Sequence, residues 1–201
     1  MTRSFFLLVL TAVAACSSPA AMPPEADAAI DGATIDTSQV APEIEILYRS
    51  RDGMAMPCAP DAPVPLTLPP QGGFVLLVGL RAKHLDPTSI DVTASIRDTV
   101  DDQLLSVEQR PVMLVPGSDG WATPDMPDGL FNWANLPACP LAGATRDVFQ
   151  QPYLLRVAVE DASGAKAEAK LTIVPTCEAG AAGDLCRCQC KQGYKLGDAC
   201  P

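Results

Sequence analysis

From Tyr153 to Ile173, apolar and polar residues alternate with a period of two, interrupted once by Asp161-Ala162-Ser163-Gly164. Tyr153, Leu155, Val157 and Val159 fall on one face, and Leu154, Arg156, Ala158 and Glu160 on the other. After the turn, Ala167, Ala169, Leu171 and Ile173 alternate with Lys166, Glu168, Lys170 and Thr172. Successive side chains of a strand point to opposite faces, so the pattern predicts a β-hairpin with one buried face. Similar signals predict strands at Ile44–Tyr48, where Glu43, Glu45 and Arg49 face away, and at Val64–Leu68, Phe74–Leu80 and Ile90–Ile96. A last one covers Leu104–Val115, broken at Pro111.

These segments amount to about seven strands at turn-punctuated intervals without a helical repeat, which predicts an all-β chain with an immunoglobulin-like sandwich over residues 43–175. Aromatic residues make up only 5% of the chain, so its core must be largely aliphatic. The run Tyr153-Leu-Leu-Arg-Val-Ala-Val-Glu-Asp-Ala-Ser-Gly164, followed by Leu171-Thr-Ile-Val174, resembles the last two strands of bacterial Ig-like, cadherin-like and polycystic-kidney-disease-like domains. Tyr153 stands where those folds often carry a corner tyrosine. The chain departs from antibody-type domains by having Leu155 at the position of the second intersheet cysteine, and no tryptophan lies on an early strand. The resemblance implies a fold more than a function.

The first residues have the layout of a secretory signal peptide over 1–15. Arg3 supplies the positive charge, Phe5 to Leu10 the apolar run and Thr11 to Ala15 the small residues. A bilayer span needs about 20 apolar residues, so this run is too short to be an anchor by itself. Val13-Ala14-Ala15-Cys16 resembles the lipobox of bacterial lipoproteins. The resemblance implies a diacylglyceryl group on Cys16, cleavage just before it and acylation of the new amino terminus. Ser17 and Ser18, in place of an aspartate, resemble the sorting residues of outer-membrane lipoproteins. The competing expectation is ordinary cleavage, with Cys16 left free or disulfide-bonded. Residues 16–42 then read as a lipidated, disordered acidic linker, with four acidic residues, no lysine or arginine and several prolines. Asp27, Asp31 and Asp36 lack the tight spacing and central glycine of a calcium loop, and no metal is expected there.

The full chain has a net charge of −10, and loss of residues 1–15 removes Arg3 alone, leaving 13 basic against 24 acidic residues, or −11. Nucleic acid and anionic lipid headgroups would be repelled by such a surface, so neither is an expected ligand.

The eight cysteines suit an exported chain that can hold disulfides. Cys58 and Cys139 lie in proline-bounded loops, and a Cys58–Cys139 bridge is expected. The tail, residues 176–201, carries Cys177, Cys186, Cys188, Cys190 and Cys200. Its segment Cys188-Gln-Cys190-Lys-Gln-Gly193-Tyr194, leading to Cys200, is similar to the closing half of an EGF-like module. That resemblance implies Cys190–Cys200 and Cys177–Cys188 bridges. The tail has five cysteines where the module needs six, so Cys186 is left over. It is expected to be a free thiol, to pair between chains or to exchange roles with Cys188. A zinc knuckle is disfavoured because no histidine is near.

Signatures of catalysis are sparse. His84 is the single histidine, and no Gly-x-Ser-x-Gly elbow, zinc-protease pair or phosphate loop is present. Ser163-Gly-Ala-Lys166 spells Ser-x-x-Lys, but in a hairpin turn where that chemistry needs a helix. No catalytic residue, cofactor or metal is therefore expected. The loop Pro116–Trp133 gathers Trp121, Phe131 and Trp133 with Asp119, Asp125 and Asp128. Aromatics on a rigid scaffold are favoured anchors for a protein or glycan partner, and the alternative is that the rings pack under the loop. The expectation as a whole is an exported, lipid-anchored, non-catalytic binding or scaffold module at the outer membrane. Its rivals are a purely structural envelope protein and an enzyme without visible signatures. Exposure of Trp121 and Trp133 would favour binding, and burial of both the structural role.

Overall fold

A computed structural model describes residues 40–125 and 131–200, which are mostly β. Its strands are β1 (Glu43–Arg49), β2 (Ala55–Pro57), β3 (Ala62–Thr67), β4 (Phe74–Lys83), β5 (Ile90–Asp98), β6 (Leu104–Val112), β7 (Leu114–Pro116), β8 (Ala122–Pro124), β9 (Ala134–Cys139), β10 (Tyr153–Asp161) and β11 (Lys166–Thr176). One helix, α1 (Ala181–Gln189), follows. None of the described helices is long and apolar enough to cross a membrane.

The strands join one curled sheet in the order β2-β1-β4-β3-β11-β10-β5-β6, with β8 and β9 also paired to β4 and β7 paired to β8. Strand β3 makes the curl possible by dividing its hydrogen bonds. Ala62–Pro65 run parallel to Ile173–Thr176 of β11, and then Leu66 and Thr67 run antiparallel to Leu76 and Val75 of β4. Inward residues of both halves form one cluster, with Ile46, Val64, Leu76, Val78 and Leu80 from one and Ile90, Val92, Ile96, Leu155 and Val157 from the other.

The β10–β11 hairpin has the register its alternation dictates, from Tyr153↔Ile173 to Glu160↔Lys166. Tyr153, Leu155, Val157 and Val159 are all buried. The tyrosine hydroxyl donates to the Asp147 carbonyl at 2.9 Å. Arg146 lies 4.7 Å over the tyrosine ring and pairs with the buried Asp98 at 2.8 Å, so the loop before β10 is pinned to the end of β5.

Eleven strands replace the seven or so read from sequence: β2, β7 and β8 span three residues each and show no period, and the six-residue β9, which contains Pro137, is also missing from that reading. The long segment at Leu104 breaks at Met113, not at Pro111. Pro111 stays within β6, which closes the sheet order, and an edge position tolerates its missing N–H.

The disulfide expectations are corrected. Cys139 pairs with Cys190, Cys177 with Cys186 and Cys188 with Cys200. The expected Cys58–Cys139, Cys190–Cys200 and Cys177–Cys188 bridges are not formed. Cys186 is bonded, and Cys58 is the free, buried thiol among the described residues. The reason is α1, which the EGF-like reading did not provide for. At 3.6 residues per turn, Cys186 and Cys190 share one face of the helix while Cys188 points nearly opposite. The shared face meets the β unit, where the Val148 N–H donates to the Cys190 carbonyl at 2.8 Å. Cys190 therefore reaches Cys139, and Cys188 is left for Cys200. The Cys139–Cys190 bridge spans 51 residues and by loop-closure entropy contributes about 4 kcal/mol.

Candidate functional site

The two tryptophans and Phe131 of the suspected loop lie in three different environments. The face of β4 that turns away from the main core reads Val75, Leu77, Gly79, Arg81, Lys83. Trp133 is 0% exposed and packs there with Val75, Leu77 and Leu47 in a second, smaller cluster. It lies against Gly79, where a Cβ would fall 2.9 Å from two ring carbons. Trp133 is therefore a packing residue, which corrects its expected role as a ligand contact.

Trp121 lies further along the same face and is partly exposed. The Arg81 guanidinium sits 4.5 Å from its ring centroid and the Lys83 ammonium 4.6 Å. Arg81 is also paired with Glu45. The turn that carries Trp121 is closed by its own polar groups. The Gly117 N–H donates to the Trp121 carbonyl at 2.6 Å, and the Trp121 N–H to Asp119 Oδ1 at 3.1 Å. Asp119 thus serves the turn. Asp128 lies outside the described residues, as do Cys16, Asp27, Asp31 and Asp36.

Phe131 is 83% exposed, the aromatic of the loop that does reach solvent. Its neighbour Asn132 accepts the Met113 N–H at 3.1 Å, which brings Met113, 63% exposed, beside it. Val115 follows on β7 at 49% exposure. Leu114, between them, is buried, whereas Met113, just before β7, and Val115, within it, are exposed. Three large apolar side chains thus stand in solvent around a hairpin that is fastened to β4 through Ala122↔Ala82. Sequence alternation signalled none of this, because β7 and β8 are too short to show it.

A second surface, a groove of about 490 Å³, crosses the outer face of β5, β10 and β11 over Thr93 and Ala158. Arg156 pairs there with Glu168 and Lys166 with Glu160, and Asp91 also lines it.

His84 and Ser163 line one shallow cavity with Val40 and Pro42. The Ser163 hydroxyl donates to Asp161 Oδ1 at 2.6 Å. Asp161 also accepts the N–H groups of Asp86, Ser163 and Ala165. The Ser163 hydroxyl and then the Asp86 N–H contribute most to holding its carboxyl down at about 2. Cys177, Cys186 and Cys190 have their sulfurs within 4.8 Å of one another, but all three are oxidised in bridges and offer no thiolate. No protein-family profile matches this sequence, and no curated protein sequence does.

Proposed function

We propose that this protein is a lipid-anchored, non-catalytic binding or scaffold module of the cell envelope, held at the outer membrane through Cys16. Residues 1–15 would be its signal peptide and residues 16–42 its tether. The β unit is read as an immunoglobulin-like sandwich. Supporting that reading are the Tyr153 hydroxyl bond to the backbone six residues upstream, as corner tyrosines make, and a strand β3 shared between the sheet halves.

The observation that carries the binding role is the exposure of Phe131 beside Met113 and Val115. Adjacent apolar side chains left in water mark contact surfaces. A protein partner suits this patch better than a glycan, because the tryptophan ring that would stack on a sugar is flanked by two cations instead. Removing the patch should leave the fold intact. Phe131→Ser with Met113→Ser is expected to keep the parent's melting temperature while a photo-crosslinker at Val115 loses its discrete adduct on intact cells. An adduct unchanged by those substitutions would retire the patch. Intact mass of the membrane-extracted chain tests the anchor: a chain beginning at Cys16 with acyl groups is expected, and an unacylated one found in the medium overturns it.

A further inference from the structure

We infer that the Cys177–Cys186 bridge is a thiol–disulfide exchange site, taking a carboxylate-bearing thiol and passing the exchange on to the bridge that ties the tail to the β unit. Three independent features converge there. First, Cys186 of the bridge lines a cleft of about 350 Å³ together with Arg49, Arg51, Glu178, Leu66 and Phe74, and Cys177 precedes Glu178 in the chain. The chain is net acidic, with a charge of −10, yet at this cleft two arginines outnumber the one glutamate and give an anionic thiol a docking point that a neutral one does not use. Second, the two sulfurs are unequally accessible: Cys177 is half-buried, whereas Cys186 is 1% exposed. An incoming thiolate therefore meets Cys177 first.

The third feature is the neighbour. Cys186 Sγ lies 3.8 Å from Cys190 Sγ, which belongs to the other bridge. These two residues share a face of α1, four positions apart, and a bridge between them stays within one helical turn. Exchange proceeds by attack of a thiolate on a disulfide sulfur. The incoming thiolate bonds to Cys177 Sγ, and the Cys177–Cys186 bond breaks with its electron pair on Cys186. The Cys186 thiolate then attacks Cys190, the Cys139–Cys190 bond breaks, and Cys139 leaves as a thiolate that takes a proton. A second molecule of the thiol resolves the mixed disulfide on Cys177. Two thiols are oxidised to one external disulfide. The protein gains two electrons and two protons, with a Cys186–Cys190 bridge and free thiols at Cys139 and Cys177. The tail has then lost its covalent tie to β9. Cys58 takes no part, because burial pushes its thiol up to about 11 and keeps it protonated.

The inference is independent of the lipid anchor. Its test treats the oxidised full-length chain with limiting reduced glutathione or 2-mercaptoethanol, followed by acid quench, alkylation and peptide mapping. The expected signature is a Cys186–Cys190 linked peptide with alkylated Cys139 and Cys177, which independent reduction of the three native bridges cannot give. Arg51→Ala, a change at an exposed residue, should slow the glutathione reaction about tenfold and leave the mercaptoethanol rate unchanged. Alkylation at Cys177 and Cys186 with Cys139–Cys190 intact would overturn the relay. Failure of either thiol to open the Cys177–Cys186 bridge would overturn the site, and equal slowing of both thiols by Arg51→Ala would overturn the anionic substrate class.

Discussion

Gly79 is glycine because the indole of Trp133 occupies the space a side chain would take. A Gly79→Ala chain should lose about 1–3 kcal/mol through overpacking. Trp133→Ala should lose about 3–5 kcal/mol through the cavity it leaves. Trp121→Ala, removing only partly exposed cation–π contacts, should lose about 1 kcal/mol or less. Urea denaturation of the three variants checks the order, and a larger loss at Trp121 than at Trp133 would contradict the assignment of environments.

Asp161 makes a second prediction at this scale. Its carboxyl is held from an ordinary 3.8 down to about 2 by the Ser163 hydroxyl and the surrounding N–H groups. A group depressed in the folded state stabilises above its unfolded pKa and loses that contribution as pH falls through the folded one. The window is therefore from about pH 5 down to about pH 2. Thermal melts across it should fall more steeply for the parent than for Asp161→Asn, whose amide does not titrate.

At the scale of elements, β6 closes the sheet order with a long edge, the kind of strand that invites pairing with another chain. It is guarded from within. Register places Glu108 opposite Ala94 and Arg110 opposite Val92, on the face that looks into the core. The two are ion-paired, and the Asn135 amide lies against the Arg110 guanidinium. Charges pointing inward from an edge strand oppose its docking onto a second edge, and Pro111 withholds an N–H nearby. Replacing both, as Glu108→Val with Arg110→Val, should increase self-association. Sedimentation velocity against the parent chain reads it, and an unchanged distribution would assign the pair a packing role only.

The same scale explains why α1 escaped a reading by motif. Cys188-Gln-Cys190 looks like part of an extended EGF-like segment, whereas Ala181, Ala182, Leu185, Arg187 and Gln189 are ordinary helix formers. Gly183 completes the geometry, since a Cβ there would fall 1.7 Å from the Glu178 carbonyl oxygen. The composition was visible. The close approach that requires the glycine was not.

At the scale of the whole molecule, six of the cysteines in the described unit are bridged and Cys58 is free. The native chain should resist thiol reagents at pH 8, because the Cys58 thiol is buried and held protonated. Denaturation should expose one thiol if Cys16 is acylated, whereas two would argue against the lipid anchor. Labelling in urea followed by intact mass counts them.

By itself the sequence determined the alternation of β10 and β11 and the strands β1, β3, β4 and β5 to within a few residues. Those are local properties, set by side-chain period and turn residues. Tertiary structure alone decided which cysteines meet, because a bond between positions 51 residues apart depends on where β9 and α1 come to lie. It also separated Trp133, sealed over Gly79, from Phe131, left in water, two residues earlier. Nothing in a period of two or in aromatic character distinguishes those rings, since exposure is a property of what the rest of the chain places on top.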